Sequence, residues 1–425
     1  MTPLIGIDFG TTNSVVAVLG ADGEVRTQRF ATPSSAVDVF RSVLCFWTGG
    51  AGARTLQHAA GPAAIEAYLD DPLESRLIMS LKTYLAQRSF TRTQVHNRPF
   101  TLEAMVALLL RSLLCGTDAA GARVIAGRPV RFAGDQADDA LGEARLRDAF
   151  RLAGLGEIEV AFEPEAAGYR FTRTLDGPAT VLIGDFGGGT SDFSLLRFEP
   201  GAARPVTALA TTGVGVAGDS FDFRIIDRVI SPLLGKGSTY KVMGTDMPVP
   251  IEYYAGFARW HRLSLMRSPR MLREINDVAR TAAEPGKLRQ LIRLIEEELG
   301  YQLYQTVSAV KAELSHADRA TLRFDHAGIM IEAAIEREEF EAWIAPDLAQ
   351  LSIAVDRALL QAGITSKAVD RVFLTGGTAF VPAVRRLFER RFGTERVSGG
   401  GEFVSVAEGL ALIGRDRLTR EERHR

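Results

Sequence analysis

Two segments of the chain share one pattern of apolar and polar positions. Residues 5–19 read IGIDFGTTNSVVAVL and residues 182–196 read LIGDFGGGTSDFSLL. Each is an apolar run, a D-F-G turn with small residues, and a second apolar run. Apolar runs joined by a glycine-containing turn are typical of β-hairpins. The repeat, with Asp8 and Asp185 at matching positions, predicts two related domains that begin with the same hairpin.

Outside these hairpins, strand-like and helix-like segments alternate. Helices are predicted over 104–114, 136–152, 163–173, 219–229, 288–314 (one or two helices), 337–362, 382–391 and 407–413, and strands over 123–126, 157–162, 206–212, 322–324, 329–333 and 371–374. The alternation predicts α/β layers. The least regular region, 235–270, is typical of an insertion or small subdomain. Its Tyr253, Tyr254 and Trp260 fit either a core, which we expect, or a contact surface. The charged end, 419–425, is expected to fray.

Length and composition narrow the class of protein. The 425 residues suggest two to three domains. Fifty basic and 52 acidic residues leave a formal charge of −2, which predicts no general attraction to nucleic acid or to an anionic membrane. No apolar run is long enough for a membrane span, the N-terminus lacks a secretory signal, and two cysteines make no disulfide framework. We therefore expect a cytoplasmic protein.

The first hairpin turn has the composition of a phosphate site. It follows Asp8 and contains Gly10, Thr11, Thr12 and Asn13. A tight turn of small residues exposes successive backbone N–H groups, which suit phosphate oxygens. A carboxylate beside phosphate needs a cation between them, and Mg²⁺ is usually held through waters. Taken alone, the motif fits an ordinary polar turn equally well.

The second turn strengthens the case. It runs from Asp185 to Asp192 and includes Thr190 and three consecutive glycines, Gly187, Gly188 and Gly189. Consecutive glycines lose more conformational entropy on folding than other residues do. A run of them is therefore expected where the backbone must closely approach a ligand. Two facing turns would grip the phosphates from both sides, with Asp8 and Asp185 holding one ion.

Three weaker signals have ordinary explanations when taken alone. Gly376, Gly377 and Thr378 form a strand-to-helix turn, where a ligand can meet a helix N-terminus. Glu163 stands at another strand-to-helix junction, where an acid also favours the helix dipole. Lys82, in SLKTYL, would normally be a solvated side chain.

Together these motifs resemble the ATPase module of DnaK-type heat-shock chaperones, in the actin and sugar-kinase superfamily. The matching segments follow the family order: IGIDFGTTNS (5–14), SLKTYL (80–85), VIAGRPV (124–130), FEPEAAG (162–168), VLIGDFGGGTSDFSLL (181–196), GDSFD (218–222), IEREEFEAW (335–343) and VFLTGGTAFVPAVRRLF (372–388). The short length is similar to a shortened bacterial YegD-like branch. The resemblance implies a two-lobed, actin-like α/β fold with duplicated mixed-sheet domains around a nucleotide cleft. We expect a first lobe over 1–175, a second over 176–415 with a variable subdomain near 219–320, and a charged tail over 416–425.

The resemblance also implies roles for single residues. Asp8 and Asp185 would hold hydrated Mg²⁺, and Glu163 would reach its shell through water. Lys82 would orient the attacking water or the γ-phosphate, beside Thr190 and Asp192. The ATP or ADP would be bound by Gly10, Thr11, Thr12, Asn13, Gly187, Gly188, Gly189, Thr190, Gly218, Lys311, Ser315, Gly376, Gly377 and Thr378.

The sequence departs from the family pattern at the base-binding end. Ser308 and Ala312 replace an acid and an arginine that contact adenosine in the family, and Phe380 replaces an arginine that stacks on adenine. Phenylalanine can also stack on a flat ring, so a purine still fits and the base preference stays open. Only 414–425 follow the predicted last helix, so we expect no peptide-holding domain in this chain.

The expected function is therefore slow, Mg²⁺-dependent ATP hydrolysis by a chaperone-like protein. Lobe closure around the nucleotide would be read by a protein partner or client, through 235–270 for example, and the protein would be a monomer or weak oligomer. Two alternatives stay open. One is a small-molecule kinase of the same superfamily, with Asp192 recruited as base. The other is a nucleotide-dependent binding or filament-forming module with little turnover.

Overall fold

The computed structural model describes residues 3–20, 22–31, 36–49, 55–71, 74–117, 119, 121–132, 137–172, 177–199, 206–257, 266, 268–399 and 405–423. Trp260, which we expected in a core, lies outside these residues. Tyr253 and Tyr254 are buried, as predicted.

The described strands are β1 Leu4–Asp8, β2 Asn13–Leu19, β3 Val25–Thr27, β4 Phe30–Ala31, β5 Ala36–Val37, β6 Phe40–Arg41, β7 Val43–Gly49, β8 Thr55–Ala60, β9 Ser75–Met79, β10 Arg92–Val95, β11 Arg98–Thr101, β12 Arg123–Arg128, β13 Glu159–Phe162, β14 Ala179–Phe186, β15 Ser191–Phe198, β16 Val206–Val214, β17 Thr239–Val242, β18 Thr245–Pro248, β19 Arg319–His326, β20 Ile329–Glu336, β21 Arg371–Thr375 and β22 Val397–Gly399.

The described α-helices are α1 Pro62–Asp70, α2 Leu102–Leu113, α3 Asp139–Ala153, α4 Glu163–Thr172, α5 Gly218–Ile225, α6 Ser231–Leu233, α7 Glu252–Phe257, α8 Pro269–Thr281, α9 Pro285–Glu296, α10 Gly300–Leu314, α11 Arg337–Ala362, α12 Pro382–Phe392 and α13 Ser405–Arg423. A π-helix covers Ile226–Ile230, and 3₁₀ turns cover Leu81–Tyr84, Ser366–Ala368, Gly377–Phe380 and Thr394–Arg396.

Two sheets repeat one strand order. The first runs β3-β2-β1-β12-β13, with β6 also paired to β2, and the second runs β16-β15-β14-β21-β22. In each, three antiparallel strands are followed by two parallel ones. This common order confirms the predicted duplication and the two-lobed α/β architecture. The division of the lobes near residue 175 separates the strands of the two sheets and stays a prediction.

The central strands are apolar because both faces of each sheet are covered, as is usual where parallel strands lie in the sheet. In β1, Leu4, Ile5 and Ile7 are buried, and in β14 every residue except Asp185 is buried. The polar exceptions, Asp8 and Asp185, each stand at or next to the end of their strand. The hairpin pattern therefore delivers both aspartates to the turn end of the sheets.

The last helix, α13, packs on the first sheet against β1, β12 and α4. Two glycines permit this approach: a Cβ on Gly6 would lie 2.2 Å from Ala407 O, and a Cβ on Gly409 would lie 1.8 Å from Ala166 O. Although it follows the second sheet in the chain, this helix thus completes the core of the first.

The expected charged tail needs correction. Helix α13 continues through Arg423, so residues 416–423 are helical. Arg417 Nη1 forms an ion pair with Glu159 Oε2 at 2.8 Å, and Asp416 accepts a hydrogen bond from Tyr169 Oη. Charged side chains at this end of the chain therefore contact residues of the first lobe.

Most other elements lie within a few residues of their predicted bounds, and 337–362 is the helix that was predicted. The segment 288–314 resolves into α9 and α10, separated near Glu298, whose φ is +51°. The predicted helix 219–229 is α5 followed by the π-helix. Region 235–270 contains a β17–β18 hairpin and α7, so it is more regular than expected.

Candidate functional site

The two glycine-containing turns face each other. A Cβ built on Gly188 would lie only 2.5 Å from Thr12 Oγ1, so the second turn meets the first almost without clearance. The Asp219 N–H donates to Gly188 O at 2.8 Å and ties the second turn to α5. Opposed turns of this kind can bind an anion from two sides because both present backbone N–H groups.

The first turn is braced from behind by serines. Gly10 N–H donates to Ser14 Oγ at 3.2 Å, and the hydroxyls of Ser14 and Ser42 share a buried hydrogen bond of 2.8 Å. Ser42 N–H donates to Thr12 O at 2.9 Å. A Cβ on Gly10 would lie 1.9 Å from Asn13 O, so the turn requires glycine there. Thr11, like its neighbours, is half-buried.

The second turn closes on itself and directs Asp192. Gly187 N–H donates to Thr190 O at 2.9 Å, and Thr190 Oγ1 donates weakly to Asp192 Oδ2 at 3.5 Å. Asp192 is the register partner of Asp185 across the hairpin. A Cβ on Gly213 would lie 2.6 Å from Asp192 Oδ1, so a glycine on β16 makes room for this carboxylate.

Lys82 and Glu163 form an ion pair beside these turns. Lys82 Nζ donates to Glu163 Oε1 at 2.6 Å, and the two side chains are only 10% and 13% exposed. The 3₁₀ turn Leu81–Tyr84 presents the lysine, and the start of α4 presents the glutamate. Burial lowers the pKa of Lys82, but the carboxylates of Glu163 and Asp8 outweigh it and raise that pKa above its usual value. The lysine therefore stays charged.

Three aspartates crowd around this pair. Burial, followed by the charge of Glu163, raises the pKa of Asp8 to about 8. Burial and the charge of Asp192 raise the pKa of Asp185 to about 7, and burial and Glu163 raise the pKa of Asp192 to about 6. Lys82 opposes all three shifts without cancelling them. A cluster like this favours a bound cation, which would stabilise the ionised forms.

A second group of predicted residues converges beside the second turn, at the start of α5. A Cβ on Gly218 would lie 3.3 Å from both Lys311 Nζ and Thr378 Oγ1. Lys311 Nζ donates to Asp222 at 2.9 Å and to Gly218 O at 3.1 Å. Burial raises the pKa of Asp222 to about 6, although Lys311 lowers it.

The first residue of the glycine pair, Gly376, is sterically required next to the second turn. Gly376 has a φ of +88°, and a Cβ there would lie 2.0 Å from Phe186 O. Gly377 is exposed and begins the turn Gly377–Phe380. Ser315 Oγ at the end of α10 donates to Lys311 O at 3.2 Å. The structure thus brings the predicted residues together in two neighbouring groups, one around Lys82 and the two turns and one around Gly218 and Gly376.

A family model for the Hsp70 protein matches residues 139–238 and 287–416, more than half of the chain. The chain belongs to the Hsp70 family. It is therefore a chaperone-like, nucleotide-binding protein, and the family consists generally of ATPases that bind ATP or ADP with Mg²⁺. The matched segments include Glu163, Asp185, Lys311 and Gly376, whereas the first turn and Lys82 precede them.

The acidic cluster of this Hsp70 protein consists of Asp8, Asp185 and Asp192 beside Glu163. Among the described residues, no group of three or more His, Cys, Asp or Glu side chains is placed to ligate a metal directly. Mg²⁺ dehydrates reluctantly and often keeps several waters. The charge of Asp185 is one of the causes that raise the pKa of Asp8. That Asp8 and Asp185 hold Mg²⁺ through such waters stays a prediction.

Several residues at the cleft of the Hsp70 protein escaped the sequence analysis. Arg41 Nη1 donates to Asn13 Oδ1 at 3.2 Å, and its guanidinium also shares a hydrogen bond with Tyr304 of α10. Asp222 and Asp219 lie nearby, and the matched GDSFD segment could have pointed to them. No local signal could have identified Arg41, which reaches the site through the pairing of β6 with β2.

In the described part of this Hsp70 protein, none of the helices has the length and apolar character to cross a bilayer.

Proposed function

We propose that this Hsp70-family protein hydrolyses ATP slowly, with Mg²⁺, and couples the bound nucleotide to closure of its two lobes. The observation that carries the proposal is the contact of the two turns at Thr12 and Gly188, with Lys82 and Glu163 beside them. A ligand held by both turns favours the closed arrangement by its differential affinity for it.

The chain's own residues would act mainly by position and charge. Phosphoryl transfer needs little covalent work from the protein, since the transition state is stabilised by orientation and electrostatics. Mg²⁺, when bound near Asp8 and Asp185, would neutralise charge on the phosphate oxygens. Lys82, fixed by Glu163, would hold positive charge at the γ-phosphate or its attacking water.

Asp192 is the best-placed acceptor for the proton of the attacking water. Its pKa of about 6 lies close to physiological pH, where a general base is effective. The hydrogen bond from Thr190 Oγ1 orients one carboxylate oxygen, and Gly213 leaves room for the other. Thr190 and Asp192 are accordingly proposed beside the nucleophile.

The nucleoside would lie toward Gly218, Lys311, Ser315 and the Gly376–Gly377 pair. A Cβ on Gly218 would lie only 3.3 Å from both Lys311 Nζ and Thr378 Oγ1. The absence of a side chain there supports a close approach of the backbone to the nucleoside. A client or other protein would read the lobe arrangement. A cytoplasmic location and a monomeric or weakly oligomeric state complete the proposal, the former supported by two unpaired cysteines.

The test is phosphate release from ATP with and without Mg²⁺. Lys82→Ala and Asp185→Asn should each lose most turnover, by about 100-fold, since each removes a charge placed at the reacting phosphate. Lys367→Ala changes an exposed lysine in a remote 3₁₀ turn and is the matched control. Circular dichroism should show all three variants folded. Turnover of the wild type equal to that of both site variants would refute the proposal.

The same preparation separates the alternatives. Calorimetry with ADP and ATP, with and without Mg²⁺, reports binding apart from hydrolysis. Binding without phosphate release, together with ATP-dependent pelleting, would favour a binding or filament-forming module. Loss of ATP that depends on an added metabolite and yields its phosphorylated form would favour a kinase.

A further inference from the structure

The segment that follows Lys82 has no helix or strand of its own. After the turn Leu81–Tyr84, residues 85–91 run to β10 without regular structure. Leu85 and Ala86 are nonetheless fully buried. Backbone carbonyls in a packed segment without helix or sheet partners need donors from elsewhere, because an unpaired one costs the free energy of a lost hydrogen bond. The groups that donate to this segment therefore bear on where the lysine is held.

One side chain of α3, Arg145, gathers several of these carbonyls. Its Nη1 donates to Gln87 O at 3.0 Å and to Leu85 O at 3.2 Å, with a longer bond of 3.4 Å to Tyr84 O. Its Nη2 donates to Phe90 O at 2.7 Å. Four carbonyls thus converge on one planar group.

Arg145 is itself fixed from another helix. Its Nε pairs with Oε1 of Glu103, in the first turn of α2, at 3.1 Å. The two side chains are 11% and 20% exposed. Arginine suits this task because its planar fork presents several N–H donors in fixed directions, whereas a lysine ammonium is a compact point charge. The guanidinium therefore joins α2, α3 and the segment after Lys82.

The contacts continue from Arg145 to Lys82. Leu85 O accepts from Arg145, and Leu85 N–H donates to Lys82 O at 3.2 Å. At the far end of the lysine side chain, Nζ is held by Glu163. The backbone of Lys82 is thus anchored by way of Arg145, and its charged end by Glu163.

We propose that Arg145 is a positioning residue for Lys82: it fixes the backbone from which the lysine reaches the reacting phosphate, and it acts through the lysine rather than by contact with the nucleotide. The inference rests on the proposed role of Lys82 in hydrolysis. A reacting group is held in productive geometry by residues behind it whose own conformations are locked by packing and hydrogen bonds. Arg145, paired with Glu103 and bonded to the segment after the turn, has that arrangement.

Single-turnover phosphate release from Mg·ATP tests the inference. Arg145→Gln should lower the rate constant by about tenfold, less than the loss of about 100-fold that a displacement of a full ångström can cause. Arg145→Lys keeps the charge beside Glu103 but not the fork, so its rate should fall between those of Arg145→Gln and the wild type. Calorimetry should place the dissociation constant of Mg·ADP within about twofold of the wild-type value in both variants, because the lost interaction belongs to the reaction step.

The chain offers a matched control in Arg396. Its Nη1 donates to Val369 O at 2.9 Å and to Lys367 O at 3.1 Å, beside the 3₁₀ turn Ser366–Ala368. Arg396→Gln removes the same kind of arginine–carbonyl contact elsewhere in the chain and should leave the rate unchanged. Equal losses in Arg396→Gln and Arg145→Gln would mean that the rate follows general stability, and would overturn the inference.

A double-variant cycle shows whether Arg145 acts through Lys82. In a Lys82→Ala background, Arg145→Gln should cause no further loss of rate, because two changes that act on one interaction are not additive. A further loss as large as the one in the wild-type background would overturn the inference and leave ATP hydrolysis standing.

The position of the lysine can also be read without turnover. The chain has six lysines, so the Nζ signal of Lys82 in an NMR spectrum of ¹⁵N-lysine-labelled protein can be assigned from its loss in Lys82→Arg. Arg145→Gln should shift this signal, and Arg396→Gln should not. An unshifted signal in Arg145→Gln would overturn the inference whatever the rate of hydrolysis. A wild type that releases no phosphate would refute the proposed function instead, and the Lys82 signal would then decide the inference by itself.

Discussion

Gly188→Ala tests whether the contact between the two turns organises the site. The new methyl would stand 2.5 Å from Thr12 Oγ1, about 0.9 Å inside the 3.4 Å at which ordinary contact begins. Gly188 lies outside the left-handed region, so the change adds no backbone strain. Relief requires either rotation of the Thr12 hydroxyl or separation of the turns. Both move phosphate-facing groups by about 1 Å, a misplacement that costs on the order of 100-fold in rate.

The expected loss for Gly188→Ala is therefore about 2.7 kcal/mol of transition-state stabilisation, measured as kcat/KM for phosphate release from Mg·ATP. Stability should change little, because Gly→Ala also lowers the entropy of the unfolded chain by about 0.4–1 kcal/mol. Gly189→Ala is the comparison, since its nearest neighbour is Asp219 Oδ2 at 3.9 Å. It should retain at least about tenfold more activity than Gly188→Ala.

Two results would refute this reasoning. Equal losses in Gly188→Ala and Gly189→Ala would mean that chain flexibility, not the contact with Thr12, is what the glycines supply. The second result concerns the double variant Gly188→Ala/Thr12→Ala. If Thr12→Ala lowers kcat/KM as much in the Gly188→Ala background as it does alone, the new methyl does not act through Thr12. The clash predicts instead that the two changes are not additive.

Two further predictions concern stability. The pKa values of Asp8 and Asp185, about 8 and 7, lie above their unfolded values, so the stability these groups contribute is complete below about pH 4 and is lost as the pH rises to 8. Metal-free protein should accordingly melt at a lower temperature at pH 8 than at pH 5, and Mg·ADP should reduce this dependence of melting temperature on pH. The same pH dependence in Asp185→Asn as in the wild type would contradict the assignment of this effect to Asp185. Gly409→Ala should lower the free energy of unfolding in urea by about 3 kcal/mol or more, because the new Cβ would lie 1.8 Å from Ala166 O. Gly286→Ala, whose Cβ would have no atom within 4 Å, should leave that free energy unchanged. Similar urea midpoints for the two variants would argue against the α4–α13 contact.

The sequence was sufficient to predict features that are local. Each hairpin is encoded by consecutive residues, and the repeat of Asp8 at Asp185 predicted two sheets with one strand order. Each turn can be recognised from its own residues, because small residues between two apolar runs are typical of a hairpin turn. The same is true of α11, whose full length follows one helical pattern.

Features that depend on distant contacts were not predictable in this way. The position of α13 on the first sheet depends on Gly6 and Gly409, two glycines with no local turn to explain them. The pairing of Lys82 with Glu163 joins residues 81 positions apart, each with an ordinary explanation of its own. Arg41 reaches Asn13 only because a two-residue strand pairs with β2.

The Lys82–Glu163 pair also lies where relative movement of the two lobes would displace one of its members. Glu163 is the first residue of α4, and α4 contacts both sheets: Ala166 meets Gly409 of α13 on the first, and a Cβ on Gly168 would lie 2.3 Å from Phe198 on the second. Close packing leaves this helix little room to stay in place while the sheets move against each other. Because a helix is stiff, its displacement reaches its first residue. The carboxylate that fixes the position of Lys82 is therefore mechanically tied to the relative position of the two sheets.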